Sequence, residues 1–220
     1  MRNEREGFTL IELLISIVIF MLFLGIVSQS YISIVRAQRE ANEVRKMYSD
    51  VRVVMDFIAE EIRLGGIDYD CYYFDVADLV TPYCPELEIV GSLSQANTQN
   101  SHLALAKQGG REKTVMKLED GQLMVQKHAK NKDGDWSASP GYETYRPLTS
   151  DRIEIDALSF AIFPDVNPYS DDSDIYRDNG TQFQPKVTIF MSVKNAEEVT
   201  SEFDFDFQTS VSSRVYSRVI

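Results

Sequence analysis

The stretch Glu6-Gly7-Phe8-Thr9-Leu10-Ile11-Glu12 runs directly into a long apolar segment. A short polar leader closes with Gly7, and Glu12 is the only formally charged residue among the 28 residues from Phe8 to Val35. About 20 apolar residues are enough to cross the hydrocarbon core of a bilayer. A charge in such a segment is energetically costly unless another group pairs with it, so we expect Glu12 to be a functional residue.

An ordinary secretory signal is the alternative interpretation of this segment. Such a signal has a shorter apolar core, and a small-residue cleavage site such as Ala-x-Ala follows the core. In this chain the small residue Gly7 precedes the apolar run, and no cleavage site of that kind follows Val27. The order of the parts therefore disfavours an ordinary secretory signal.

The apolar segment continues into a pattern that predicts a single long helix. No Pro occurs between Phe8 and Gly66, and Gly65-Gly66 is a plausible helix stop. We expect a membrane-spanning half over residues 8–35 and an amphipathic half over 36–64, with Glu60 and Glu61 on its solvated side. The apolar stripe is expected to pack on the chain's own β-sheet, with a coiled coil between subunits as the alternative. Its members are Val44, Tyr48, Val51, Met55, Ile58 and Ile62.

Residues 65–220 are predicted to form a β-rich globular head. An Asp-Gly turn at Asp120-Gly121 joins two alternating segments into a hairpin. Further strands are expected at 101–107, at 153–162 as one or two strands, at 186–193 and at 203–207. Hairpin spacing without intervening helices favours an antiparallel sheet packed on the upper helix, which makes the fold class α+β.

The order Gly7-Phe8-Thr9-Leu10-Ile11-Glu12 closely resembles the class III signal of type IV pilins and pseudopilins. The resemblance implies that residues 1–7 are a leader and that a prepilin peptidase cuts after Gly7 and methylates Phe8. It further implies that the helix becomes the stem of a filament subunit. Glu12 of one subunit would then meet the Phe8 amine of its neighbour, because burying either charge alone is costly.

The resemblance also implies partners and a place in the cell. The partners would be other pilins or pseudopilins in a filament or tip complex and an inner-membrane assembly platform. The chain would cross the inner membrane once, with its head outside the cytoplasm, and then enter the filament. Many pilins of long pili carry a Pro where this chain has Gln29. The absence of this Pro is more typical of a pseudopilin or a minor pilin. Segments 148–160 and 207–214 resemble the head and C-terminal strand of J-type minor pseudopilins or W-type minor pilins.

Charge limits the remaining classes of function. The chain has 34 acidic and 22 basic residues, a net charge of −12. Only nine of the acidic and eight of the basic residues precede residue 65, so the head carries most of the negative charge. An acidic head disfavours nucleic-acid binding. The leader is electrically balanced, while residues 36–46 hold four basic and two acidic residues, so the positive-inside rule alone does not favour a cytoplasmic N-terminus.

The two cysteines, Cys71 and Cys84, lie in a loop-like stretch. Two cysteines cannot complete a tetrahedral zinc site, and the two histidines, His102 and His128, lie in other segments. If the head lies outside the cytoplasm, a Cys71–Cys84 disulfide is favoured over two free thiols.

A Pro-containing loop holds the one candidate metal site. Carboxylates at this density could bind calcium, but the EF-hand spacing is absent, so a solvated acidic loop is the favoured interpretation. The acidic residues are Asp165, Asp171, Asp172 and Asp174, with Asn167, Asp178 and Asn179 nearby. No catalytic signature surrounds the histidines or serines, and neither an enzymatic activity nor a cofactor is expected. The lone Trp136 is expected to anchor a loop or to contact a partner.

Overall fold

The computed structural model describes residues 9–72, 101–107, 109–164, 167–168, 184–196 and 204–214. The chain divides into two compact units, Met1–Lys46 and Met47–Ile220. Helix α1 spans Leu10–Leu64 and is shared by both units. The predicted single long helix is therefore confirmed, and it begins two residues later than the periodicity suggested.

In the second unit, α1 buries one face. The buried residues recur at spacings of three and four, as expected for a helix that covers a core. Val51, Ile58 and Ile62 of the predicted stripe are among them, whereas Tyr48 stays 47% exposed. The complete buried set on α1 is Met47, Val51, Val54, Ile58, Ala59, Glu61 and Ile62.

The C-terminal end of α1 is closed by residues far along the chain. The Gly65 backbone N–H still bonds the Glu61 carbonyl at 2.9 Å. The Arg214 backbone N–H donates to the Arg63 carbonyl at 3.3 Å, and the Ser213 hydroxyl donates to the Gly65 carbonyl at 2.8 Å. Because the last carbonyls of a helix have no partner within it, these two donors take the place of a C-terminal cap.

The described strands form two antiparallel sheets. Sheet A has the order β1-β2-β3-β4-β5, and β6 also pairs with β4. Sheet B has the order β7-β8-β9. These sheets beside α1 confirm the predicted α+β class. The strands are β1 (Gly66–Ile67), β2 (His102–Lys107), β3 (Glu112–Glu119), β4 (Gln122–Lys130), β5 (Trp136–Ala138), β6 (Arg146–Pro147), β7 (Ile153–Phe163), β8 (Lys186–Asn195) and β9 (Asp204–Ser212).

The β3–β4 hairpin has the predicted turn. Asp120 and Gly121 have φ angles of 49° and 73°, which is the two-residue turn that Asp-Gly favours. A Cβ atom on Gly121 would lie 2.7 Å from Cγ of Glu154, at the start of β7. The turn therefore needs glycine both for its backbone angle and for the close approach of sheet B.

Strand β7 resolves an alternative that periodicity left open. Residues 153–163 form one strand, and its register against β8 shifts between Ile155 and Ala157. The extra residue is Asp156, which is exposed. A bulge of this kind interrupts the alternation of side chains, which is why the sequence was equally compatible with two strands.

Candidate functional site at the helix N-terminus

Thr9 and Glu12 hold each other at the start of α1. The backbone N–H and the hydroxyl of Thr9 donate to Oε2 of Glu12 at 3.0 and 2.9 Å. The Glu12 backbone N–H donates back to Oγ1 of Thr9 at 3.4 Å. This reciprocal arrangement is a capping box, in which each side chain satisfies a backbone donor of the first turn. The spacing Thr-x-x-Glu before an apolar run is a sequence signal of a capping box, and the period of apolar residues along the helix does not reveal it.

An extended apolar surface surrounds this cap. The helix contains an 18-residue window with a mean hydropathy of 2.9, and none of that window is buried. Leu10 and Ile11 are 78% and 66% exposed. By length and composition the helix can cross a membrane, which is consistent with membrane anchoring. In such surroundings the Glu12 carboxylate needs strong hydrogen-bond donors or a cation.

The cap places the carboxylate beside the predicted processing point. The Thr9 N–H that Glu12 accepts belongs to the peptide bond joining Phe8 to Thr9. Cleavage after Gly7 would create an amine on Phe8, one residue from that N–H. Gly7 and Phe8 themselves lie outside the described residues, so their roles stay predictions.

Two further predicted sites fall mainly outside the described part of the chain. Cys71 is buried, but Cys84 is not described, so the disulfide stays a prediction. The acidic residues proposed for calcium, Asp165, Asp171, Asp172 and Asp174, are likewise not described. Among the residues that are described, no three His, Cys, Asp or Glu side chains form a group suited to a metal ion.

A buried charge cluster in the head escaped sequence analysis. Glu61 was expected on the solvated side of the helix, and this is wrong, because its residue exposure is only 5%. Its Oε2 atom lies 2.7 Å from Nζ of Lys107 on β2, and its Oε1 atom lies 2.9 Å from Nζ of Lys127 on β4. The Thr114 hydroxyl on β3 donates to Oε2 at 3.0 Å. One helix carboxylate thus ties three neighbouring strands of sheet A to α1.

The electrostatics of this cluster favour the ionised carboxylate. Burial alone raises the pKa of Glu61, but hydrogen bonds and charge from Lys107 and Lys127 outweigh it, so the pKa lies below its usual range. The position of Glu61 in the helix was the one sequence signal of its burial, because Glu61 lies at helical spacing from the buried Val54 and Ile58. The partners were not foreseeable from the helix, because both lysines come from distant strands.

The described contacts of His102 and Trp136 are local ones within sheet A. The Ser101 hydroxyl lies 2.8 Å from Nδ1 of His102, and burial together with Lys117 lowers the pKa of that histidine. Trp136 lies on β5, half-buried, with Nζ of Lys130 5.1 Å from its ring centroid. The two expected roles of Trp136, anchoring a loop and contacting a partner, both stay predictions.

Comparison with known proteins agrees with the N-terminal geometry. Residues 2–28 match the family described as the prokaryotic N-terminal methylation motif. Neither the curated proteins nor the solved structures gave a significant match to the chain. The matched residues include the capping box and the first part of the apolar helix. The chain therefore carries a prepilin-type N-terminal methylation motif, which supports a relation to type IV pilins and pseudopilins and indicates a structural subunit.

Proposed function

We propose that this protein is a prepilin-like structural subunit that is cleaved after Gly7, methylated on Phe8 and assembled into a filament. The observation that carries the proposal is the methylation motif over residues 2–28, together with a helix whose apolar half has a single carboxylate, Glu12, at its first turn. The work of such a subunit is mechanical, and no catalytic step or cofactor is required of it.

Glu12 would supply both driving force and register during assembly. Once the leader is removed, the methylated Phe8 amine is a cation in apolar surroundings. Glu12 of a neighbouring subunit can pair with it, and each charge then avoids the cost of being buried alone. In the separate subunit Thr9 holds the same carboxylate, so pairing would exchange two neutral donors for a charged one.

Within this class we favour a minor, tip-located pseudopilin of a type II secretion system. A head of residues 65–220 is larger than a packed filament requires, and Gln29 stands where many major pilins have Pro. A minor type IV pilin for adhesion, motility or DNA uptake is the alternative in the same class. A membrane-tethered binding protein or enzyme is the alternative from another class.

The proposal carries a location and a set of partners. The helix would cross the inner membrane once and leave the head outside the cytoplasm, where a Cys71–Cys84 disulfide could persist. Prepilin peptidase, the other filament subunits and the inner-membrane assembly platform would be its partners. Nucleic acid is not among them, because the head is strongly acidic.

Intact-mass analysis after co-expression with a prepilin peptidase tests the processing step. We expect loss of residues 1–7 and one added methyl group on Phe8. A matched Gly7→Leu variant, which keeps the helix unchanged, should stay at full length. An uncut wild-type chain, with the peptidase active on a control prepilin, would refute the proposal and favour the tethered protein.

Glu12→Gln tests the assembly step separately. Glutamine at the third helical position still completes a capping box, so the helix start is retained while the charge is removed. We expect normal cleavage but loss of filament incorporation, measured by shearing and fractionation. Glu60→Gln, an exposed position on the same helix, is the control. Normal incorporation of Glu12→Gln would contradict the role of Glu12 and support a simple tether.

A further inference from the structure

Strand β9 is an open edge of sheet B in the described part of the chain. Sheet B has the order β7-β8-β9, so β7 and β9 are its two edges. The β7 edge is met by sheet A, where the Ile155 N–H donates to the Gly121 carbonyl at 2.8 Å. Strand β9 pairs with β8 and, as far as the structure describes the chain, with no other strand.

The register identifies which backbone groups of β9 face outward. The Ser213 N–H donates to the Pro185 carbonyl at 2.9 Å, and the register places Ser212 opposite Lys186. Because hydrogen-bonded and non-hydrogen-bonded pairs alternate in an antiparallel ladder, every second residue bonds β8 and the others turn their N–H and C=O groups away from it. The outward set is Asp204, Asp206, Gln208, Ser210 and Ser212.

Side-chain exposure agrees with an uncovered edge. Ile189 and Met191 of β8 are 0% and 2% exposed. Their β9 partners Thr209 and Phe207, which face the same side of the sheet, are only half-buried. Phe205 is also half-buried, and the rings of Phe205 and Phe207 contact that of Tyr48 in tilted and edge-on geometries, with centroids 5.0 and 5.6 Å away. Within the described residues, an apolar strip therefore continues from the core to the β9 edge of sheet B.

The residues of β9 themselves carry little of the protection that is usual at an edge. Natural edge strands are shortened, bulged, or marked with lysine or proline, which prevents pairing with other chains. This strand has nine residues, contains neither lysine nor proline, and pairs with β8 without a register shift. Its only charges are Asp204 and Asp206, both exposed at one end. They oppose acidic partners but leave the rest of the edge available.

We propose that β9 accepts an extended segment of a different filament subunit by strand addition. The partner strand would carry lysine or arginine on the face of Asp204 and Asp206 and apolar residues on the face of Phe205 and Phe207. A second copy of this chain is the poorer occupant, since the net charge of −12 repels a like chain. The proposal rests on the proposed filament function for the identity of its partner.

Residue-resolved hydrogen exchange of the full chain in detergent micelles tests this proposal. The probe is a nine-residue peptide of alternating valine and lysine, at about 1 mM because single strands bind weakly. We expect exchange at Asp206, Gln208 and Ser210 to slow about tenfold or more, while the already bonded amides of Phe207 and Thr209 stay unchanged. A matched peptide with glutamate in place of lysine should give no protection.

Variants and outcomes complete the test. Gln208→Pro removes an outward N–H while sparing the bonds to β8, so it should retain the fold and lose the protection, whereas Thr209→Pro should disrupt sheet B. Absent or non-alternating protection with the lysine peptide would overturn the proposal, as would equal protection with the glutamate peptide. Because the measurement does not involve cleavage or filaments, its failure is distinguishable from a failure of peptidase processing.

Discussion

Glu61→Gln is the substitution that tests the head most directly. It keeps the size of the side chain but removes the negative charge that Lys107 and Lys127 approach at 2.7 and 2.9 Å. Both lysines would then face each other across a neutral amide in a site where Glu61 is 5% exposed. We therefore expect the head to be destabilised without any change in the membrane helix.

The magnitude follows from the burial of the three groups. Breaking a fully buried ion pair from one side costs about 3–5 kcal/mol. The two lysine side chains are 15% and 26% exposed, which lets water reach them and places the expected loss near the lower end, at about 3 kcal/mol. For a domain of this size each kcal/mol lowers Tm by about 2–4 °C, so we expect a fall of about 6–12 °C.

The assay is thermal unfolding of the full chain in detergent, followed by fluorescence of Trp136. This residue is the only tryptophan and lies in sheet A, so the signal reports the head and not the membrane helix. Glu60→Gln, one residue away and exposed, should melt within about 2 °C of wild type. A triple variant with Glu61→Leu, Lys107→Met and Lys127→Met should recover much of the loss. A Glu61→Gln melt equal to that of Glu60→Gln would refute the reasoning.

Three further predictions use the same unfolding assay. Folding lowers the pKa of Glu61 below its ordinary value of 4.5, so the ionised carboxylate stabilises the head above that pH, and the stabilisation is lost as pH falls through the lower folded value. The difference in stability between wild type and Glu61→Gln should therefore shrink as pH falls below the ordinary carboxyl pKa, and a constant difference would contradict this. Gly121→Ala should lower the free energy of unfolding by about 2 kcal/mol, which is more than for Gly134→Ala, because Gly134 also has a positive φ but has open space around it. Equal losses for the two variants would show that the contact with Glu154 does not contribute. Ser213→Ala should lower the free energy of unfolding by about 1 kcal/mol, because it removes the hydrogen bond to the Gly65 carbonyl. Ser212→Ala, at the neighbouring exposed position, should leave the stability nearly unchanged.

Local patterns predicted much of the fold correctly. The long helix, the Asp-Gly hairpin and the strands at β2, β7, β8 and β9 all follow from side-chain period and turn residues that lie next to each other in the chain. The division into two sheets did not follow, because strand period does not report which strands pair. The short β1, β5 and β6 strands were missed since two or three residues are too few to show a period.

The two glutamates discussed above, Glu12 and Glu61, divide in the same way. Glu12 could be singled out because a carboxylate in an apolar run is visible in sequence, and the Thr9 that caps it lies only three residues away. Its role in assembly stays a prediction. Glu61 was misplaced because its partners, Lys107 and Lys127, are brought to it by tertiary pairing of separate strands. The helix sequence alone could not show whether Glu61 is exposed or buried, because it holds no information about the lysines that make burial favourable.

The closure of α1 by Ser213 and Arg214 also sets the order in which the head can fold. The helix is made first, while its cap is made 148 residues after the Gly65 carbonyl that it binds. During synthesis, the C-terminal end of α1 therefore lacks both of these donors, and sheet B lacks β9, until residues 204–214 have been made. If the head lies outside the cytoplasm, as proposed, it would complete its fold only after the segment containing Ser213 and Arg214 has crossed the membrane, so translocation would act on an extended polypeptide.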